Sequence, residues 1–148
     1  MNITLGFLFD IITIVVSIGA AGFAVFTWRT SVKHDRKVAT IDAYNQLQEQ
    51  ALDKLYVYMP KEIKELARNR RKEEYKQVAV YIARIEHFAV GVNHGVYDLD
   101  IVYELAHGFL DGSIRERIKP IIEVKEKDSA DEYYNNIKKM YALMDKKQ

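Results

Sequence analysis

The chain contains no cysteine, and that absence removes disulfides, thiolate metal ligands and a cysteine nucleophile together. It also agrees with a reducing compartment. Proline is scarce: Pro60 and Pro120 are the only two in 148 residues. With no Gly/Ser-rich tract either, the sequence holds no flexible linker. Serine is confined to Ser17, Ser31, Ser113 and Ser129. There is no Gly-x-Ser-x-Gly, phosphate-cradling glycine loop, His-Glu-x-x-His or dinucleotide fingerprint, so the common catalytic motifs are missing. The 22 basic and 21 acidic residues leave a net charge of +1, which makes no global basic field for nucleic acid. Nothing implies a cofactor.

What is present is a long apolar run. Residues 11–27 carry no charge, and Asp10 is the only charged side chain before Arg29. As a helix, residues 3–28 extend about 39 Å, against a hydrocarbon core of about 30 Å. In lipid the backbone must satisfy its own polar groups, so a helix is the form to expect. The expected organisation is a transmembrane anchor over 1–28, a basic juxtamembrane segment over 29–37, and a cytoplasmic helical domain over 38–148.

Arg29, Lys33, Arg36 and Lys37 follow the apolar run, countered only by Asp35. Positive residues stay inside, so the N-terminus is expected outside the cell's inner or plasma membrane and the domain within the cytoplasm. Trp28 suits the inner interface. A cleavable signal peptide is the rival, but its basic n-region is missing and the apolar core is too long. Ser17, Gly19, Ala20, Ala21, Gly22 and Ala24 make a small-residue surface, which suits helix–helix approach in lipid or reflects ordinary membrane-helix composition. Asp10 belongs at the outer headgroups or, alternatively, in a pore.

Beyond the anchor, apolar residues recur at helical spacing and no segment alternates with period two. A helix over 38–59 continues from the anchor and ends at Pro60, which also suits the first turn of the next helix. Arg68, Arg70, Arg71 and Lys72 form a basic knot, read as a solvated helix junction or, alternatively, a contact for anionic lipid headgroups or a nucleic-acid phosphate backbone, though it is too short to mark a nucleic-acid site on its own. Residues 73–93 form the strongest helix, with Tyr75, Val78, Ala79, Ile82, Ile85, Phe88, Ala89 and Val92 on one face. His94-Gly95 stops it. Asp98 caps a short helix ended by Gly108, and Asp111-Gly112 reads as a turn. Ser113 to Glu116 and Ser129 to Glu132 read as capping boxes for two further helices, the first bent or shortened by Pro120. The fold expected is all-α: one N-terminal transmembrane helix continuing into a small helical bundle.

Polar residues concentrate at Arg84, Glu86, His87, Asn93, Tyr97, Asp100, Glu104 and His107. Glu104 and His107 stand at i, i+3, but a di-iron bundle needs two such pairs and more glutamates, so no metal is expected. The economical reading is an inter-helix network joining Arg84 and His87 to Glu104 or Asp100. The alternative is an enzyme or ligand pocket built from the same residues.

The blocks Ala83-Arg-Ile-Glu-His-Phe-Ala-Val-Gly-Val-Asn93, Gly95-Val-Tyr-Asp98 and Val102-Tyr-Glu-Leu-Ala-His107 carry a resemblance. The chain resembles a bacterial family of short proteins of unknown function, with one N-terminal membrane helix and a helical cytoplasmic domain. The likeness runs from the anchor to about Met140. It implies a bacterial, phage or mobile-element origin and transfers no catalytic residue. The function expected is a membrane-anchored interaction or assembly protein, with lipid and a protein partner or a second copy of itself as companions. Its sharper form is an oligomeric membrane effector in bacterial or phage conflict.

Overall fold

The computed structural model describes residues 3–70, 72–128 and 134–147, and among them no strand occurs. The chain divides into two compact units, Met1–Asp35 and Arg36–Gln148. The elements in order are α1 (Ile3–Leu47), π1 (Gln48–Leu52), α2 (Asp53–Val57), α3 (Pro60–Arg68), α4 (Glu73–Asn93), α5 (Leu99–Ala106), π2 (His107–Ile114), α6 (Arg115–Asp128) and α7 (Asn135–Asp145).

In the first unit, α1 is uncharged from residue 11 to residue 28 and presents apolar side chains around its circumference there. Phe9, Ile14, Val16, Ile18, Phe23, Phe26 and Trp28 are all exposed. The hydroxyls along it fold back on the helix. Thr13 donates to the Phe9 carbonyl at 2.8 Å, Ser17 to Thr13 at 2.7 Å, and Thr27 to Phe23 at 2.9 Å. The helix is long and apolar enough to cross a membrane.

In the second unit, α4 is the central element. Its Tyr75, Val78, Ile82, Ile85, Phe88, Ala89 and Val92 are buried, the face its spacing predicts, with only Ala79 half-buried. It packs on α7 and α3, while α3 packs on α6. Leu52, Leu55, Ile63, Ile82, Ile85, Leu110, Ile118 and Met140 are among the side chains fully removed from solvent. Each contributes about 1.5–3 kcal/mol of transfer free energy as an upper estimate. α4 ends as expected. Gly95 has φ +70°, its N–H donates to the Val92 carbonyl, and the Val96 N–H donates to Gly91 at 2.9 Å. That pair of bonds is the Schellman stop, and it needs the left-handed residue.

Three expectations fail in the second half of this unit. Gly108 does not stop α5, and Asp111-Gly112 is not a turn. The chain continues through π2 directly into α6, and Ser113 lies within π2 rather than capping a helix. Leu110, Asp111 and Ile114 face the core from π2. Gly95 is the one glycine with positive φ among the described residues, so Gly108 and Gly112 meet no turn requirement. Pro120 does not end α6, which runs on to Asp128.

The first half shows a related shift. The helix expected over 38–59 is interrupted by π1 and ends at Val57, and Tyr58 and Met59 are extended before Pro60 opens α3. Ile41 is exposed and Thr40 is buried in its place. The capping box expected over Ser129 to Glu132 lies outside the described residues. α7 instead follows Tyr134, whose φ of 57° is left-handed.

Candidate functional site

The polar residues of α4 point in different directions around its axis, so they take different partners. Glu86 faces α7. Its carboxylate accepts the Asn136 N–H at 3.1 Å, the Ile137 N–H at 2.9 Å and the Asn136 side-chain amide at 2.7 Å. A carboxylate there satisfies otherwise orphaned amides at a helix start and meets the positive end of its dipole. Asn93, two turns on, donates its amide to the Asn136 carbonyl at 3.0 Å. These two residues dock α7 onto α4.

Asp98 organises a second group. Its carboxylate caps α5 by accepting from the N–H groups of Asp100 (3.1 Å) and Ile101 (3.4 Å), and it accepts from Arg36 Nη2 at 2.9 Å. Its own N–H donates to the Thr40 hydroxyl at 2.8 Å, and that hydroxyl donates to the Arg36 carbonyl at 2.7 Å. Burial pushes the Asp98 carboxyl up, but the Arg36 hydrogen bond and the two amides outweigh it and hold the group below the usual carboxylate value. The cap was legible at Asp98. Its partners were not, because Arg36 and Thr40 lie about sixty positions away with no local signal.

A third group surrounds Arg115. Its guanidinium bonds Asp111 at 2.8 Å and Asp145 at 2.7 Å, and it lies 4.8 Å from the centroid of the Tyr141 ring. Tyr141 donates to the Leu110 carbonyl at 3.0 Å, and burial raises its pKa well above that of a free phenol. His107 stacks on Tyr103 at 4.8 Å and lies 3.9 Å from Asp111. Asp100 pairs with Lys147. Glu104 is exposed.

The expected joining of Arg84 and His87 to Glu104 or Asp100 is therefore absent. Arg84 bonds the side-chain oxygen of Gln50 instead. Three residues of the predicted cluster do come together: Arg84, His87 and Tyr97 line an open groove of about 440 Å³. Its apolar floor is Leu47, Ala83, Val80 and Phe88, and Gln46 and Gln50 form the opposite rim. Tyr97 is held flat on Phe88, with ring centroids 5.1 Å apart and planes 20° apart. Asn93, Asp100, Glu104 and His107 do not line this groove. Gln46 and Gln50, four apart on one helical stretch, were the unread signal. Among the described residues no cluster of three or more metal-ligating side chains occurs.

The sequence matches the family described as "Domain of unknown function (DUF4760)" over residues 14–144. The chain belongs to that family. The match begins within α1 and reaches nearly the end of α7, so the apolar helix and the helical domain are parts of one family unit. No curated protein and no solved structure matches the chain significantly. The family description carries no activity to place in the groove.

Outside it, the basic knot of this family member is divided. Arg68 closes α3, and Lys72 precedes α4 and lines a small cavity of about 200 Å³ with Glu62, Glu65 and Glu74. Arg71 lies outside the described residues. Lys72 thus sits among three carboxylates, whose charge opposes its own. The small residues Ser17, Gly19, Ala20, Ala21, Gly22 and Ala24 are exposed along α1, and a Cβ at Gly19 or Gly22 would meet nothing within 4 Å.

Proposed function

We propose that the chain is a single-pass membrane protein, with its N-terminus outside and residues 38–148 forming a cytoplasmic module that docks a protein partner or a second copy. One observation carries the membrane part: a helix apolar around its whole circumference, with every large side chain from Phe9 to Trp28 named above exposed. Water makes such a surface a liability, whereas lipid makes it the stable choice. The back-bonded hydroxyls of Thr13, Ser17 and Thr27 add support, because each hides a polar group that hydrocarbon cannot satisfy. Arg29, Lys33 and Lys37 favour the inward orientation of the C-terminal side.

Assembly rests on the small residues of α1, which let helices approach closely. Tethering would then raise the effective concentration of the helical module at the membrane. The finer reading, an oligomeric membrane effector in bacterial or phage conflict, rests on the resemblance and requires that assembly.

The absence of cysteine makes the test clean. Single cysteines, Asn2→Cys and Lys146→Cys, are probed with a membrane-impermeant maleimide on intact and on lysed cells. The expected result is carbonate-resistant protein, labelled in intact cells at position 2 and only after lysis at position 146. Carbonate-extractable protein, or a mature mass showing cleavage in residues 17–24, overturns the anchor. For assembly, the full chain is weighed in lipid nanodiscs beside Ala21→Ile. A defined oligomer lost in the variant is expected, and a monomeric parent removes the assembly reading.

A further inference from the structure

The groove between the C-terminal stretch of α1 and α4 has the makeup of a small-molecule site. Its volume of about 440 Å³ falls within the ~300–1,000 Å³ typical of ligand pockets. Leu47, Val80, Ala83 and Phe88 supply an apolar bed, and the Tyr97 ring closes one end. The charged group at its edge is Arg84. Arg84 is exposed, and its one partner among the described residues is the neutral Gln50 amide. That contrasts with Arg36 and Arg115, each of which is matched to carboxylates. His87, one helical turn from Arg84 on the same face, adds a second nitrogen-bearing group.

Charge complementarity therefore selects the occupant. We infer that this groove binds a small amphiphile with an anionic head, the head held by Arg84 and the apolar body lying on Leu47, Ala83 and Phe88. A guanidinium presents parallel N–H donors that fit carboxylate and phosphate oxygens alike, so both heads belong to the class. Gln50 holds Arg84 toward the groove without neutralising it. The site stands independently of the membrane reading, because every lining residue lies between Ala43 and Tyr97.

The test titrates octanoate, octyl phosphate, 1-octanol and octylammonium into the full-length protein in zwitterionic nanodiscs by calorimetry, with empty discs subtracted. Binding at one site per chain is expected for one or both anions, with the alcohol and the ammonium weaker by about tenfold or more. The two anions against each other tell a carboxylate from a phosphate ligand. Arg84→Gln should lose about tenfold in affinity by removing the charged donor. Ala83→Trp, at an exposed position, should abolish binding by filling the groove. Lys119→Gln, a surface lysine outside the groove, should change nothing. Equal binding of octanol and octanoate, unchanged affinity in Arg84→Gln, or no heat above empty discs each overturns the site. If octanoate fails to bind while Ala83→Trp breaks an oligomer, the groove seats a second copy and holds no ligand.

Discussion

The ring of Tyr97 lies directly on the backbone of Gly91, so close that a Cβ at position 91 would overlap its Cε2 and Cδ2 atoms. The same glycine's carbonyl accepts both the Val96 and the Tyr97 N–H groups, at 2.9 and 3.1 Å. Gly91 thus seats the residue that closes the groove.

Gly91→Ala sets two effects against each other. In an open helix position alanine stabilises by about 1 kcal/mol over glycine. Here the methyl displaces Tyr97 and strips its stack from Phe88, an overpacking cost of about 1–3 kcal/mol. The expected outcome is a net loss in thermal stability of the full protein. A raised melting temperature would show that Tyr97 does not rest on Gly91.

Gly108→Ala and Gly112→Ala should behave in the opposite way. Both lie in π2, a Cβ at either meets nothing within 4 Å, and neither has positive φ. Each substitution is expected to be neutral or stabilising by up to about 1 kcal/mol. If π2 were a loop with left-handed glycines, alanine would instead destabilise by a comparable amount. The sign of the melting shift distinguishes the two.

Asp98 should make stability depend on acid. Its folded pKa lies below its unfolded one, so its contribution is fully present above the unfolded carboxylate range near ~4 and is lost as pH falls through the folded value. Asp98→Asn keeps a good helix cap but loses the charge-assisted bond to Arg36, while Asp98→Ala loses the cap as well, for about 1 kcal/mol more. Urea melts should show wild type above Asp98→Asn at neutral pH, with the gap closing in acid. A gap of constant size down to strongly acidic pH contradicts the Arg36 pairing.

Glu86→Ala is expected to release α7. Three hydrogen bonds end on that carboxylate, and the exposed amides of Asn136 and Ile137 would cost about 1–3 kcal/mol unless water reaches them. Hydrogen exchange should rise in α7 while the Schellman amides of Gly95 and Val96 stay protected. Uniform exchange across both would mean that α7 does not dock through Glu86.

Much of the helical domain was written locally. α4 runs from Glu73 to Asn93 with the face its spacing predicts, Gly95 supplies its stop, Pro60 opens α3, and Asp98 caps α5. Each depends on residues within one or two turns, where sterics and a few hydrogen bonds fix the outcome. The candidate site was half legible: Arg84, His87 and Tyr97 meet in the groove, but the network expected among Arg84, Asp100 and Glu104 does not form.

By itself, then, the sequence determined the all-α class, the apolar helix at the start and the caps that depend on near neighbours. Tertiary structure decided what distant residues do to one another. Glycine at 108 and Asp-Gly at 111 and 112 favour a break locally, yet the chain stays helical there, with Leu110, Asp111 and Ile114 buried in the core. Arg36 finds Asp98, Glu86 finds Asn136, and Arg84 finds Gln50 only after packing brings their helices side by side. Burial and electrostatic pairing depend on distance in space, and along the chain those partners are separated by tens of residues.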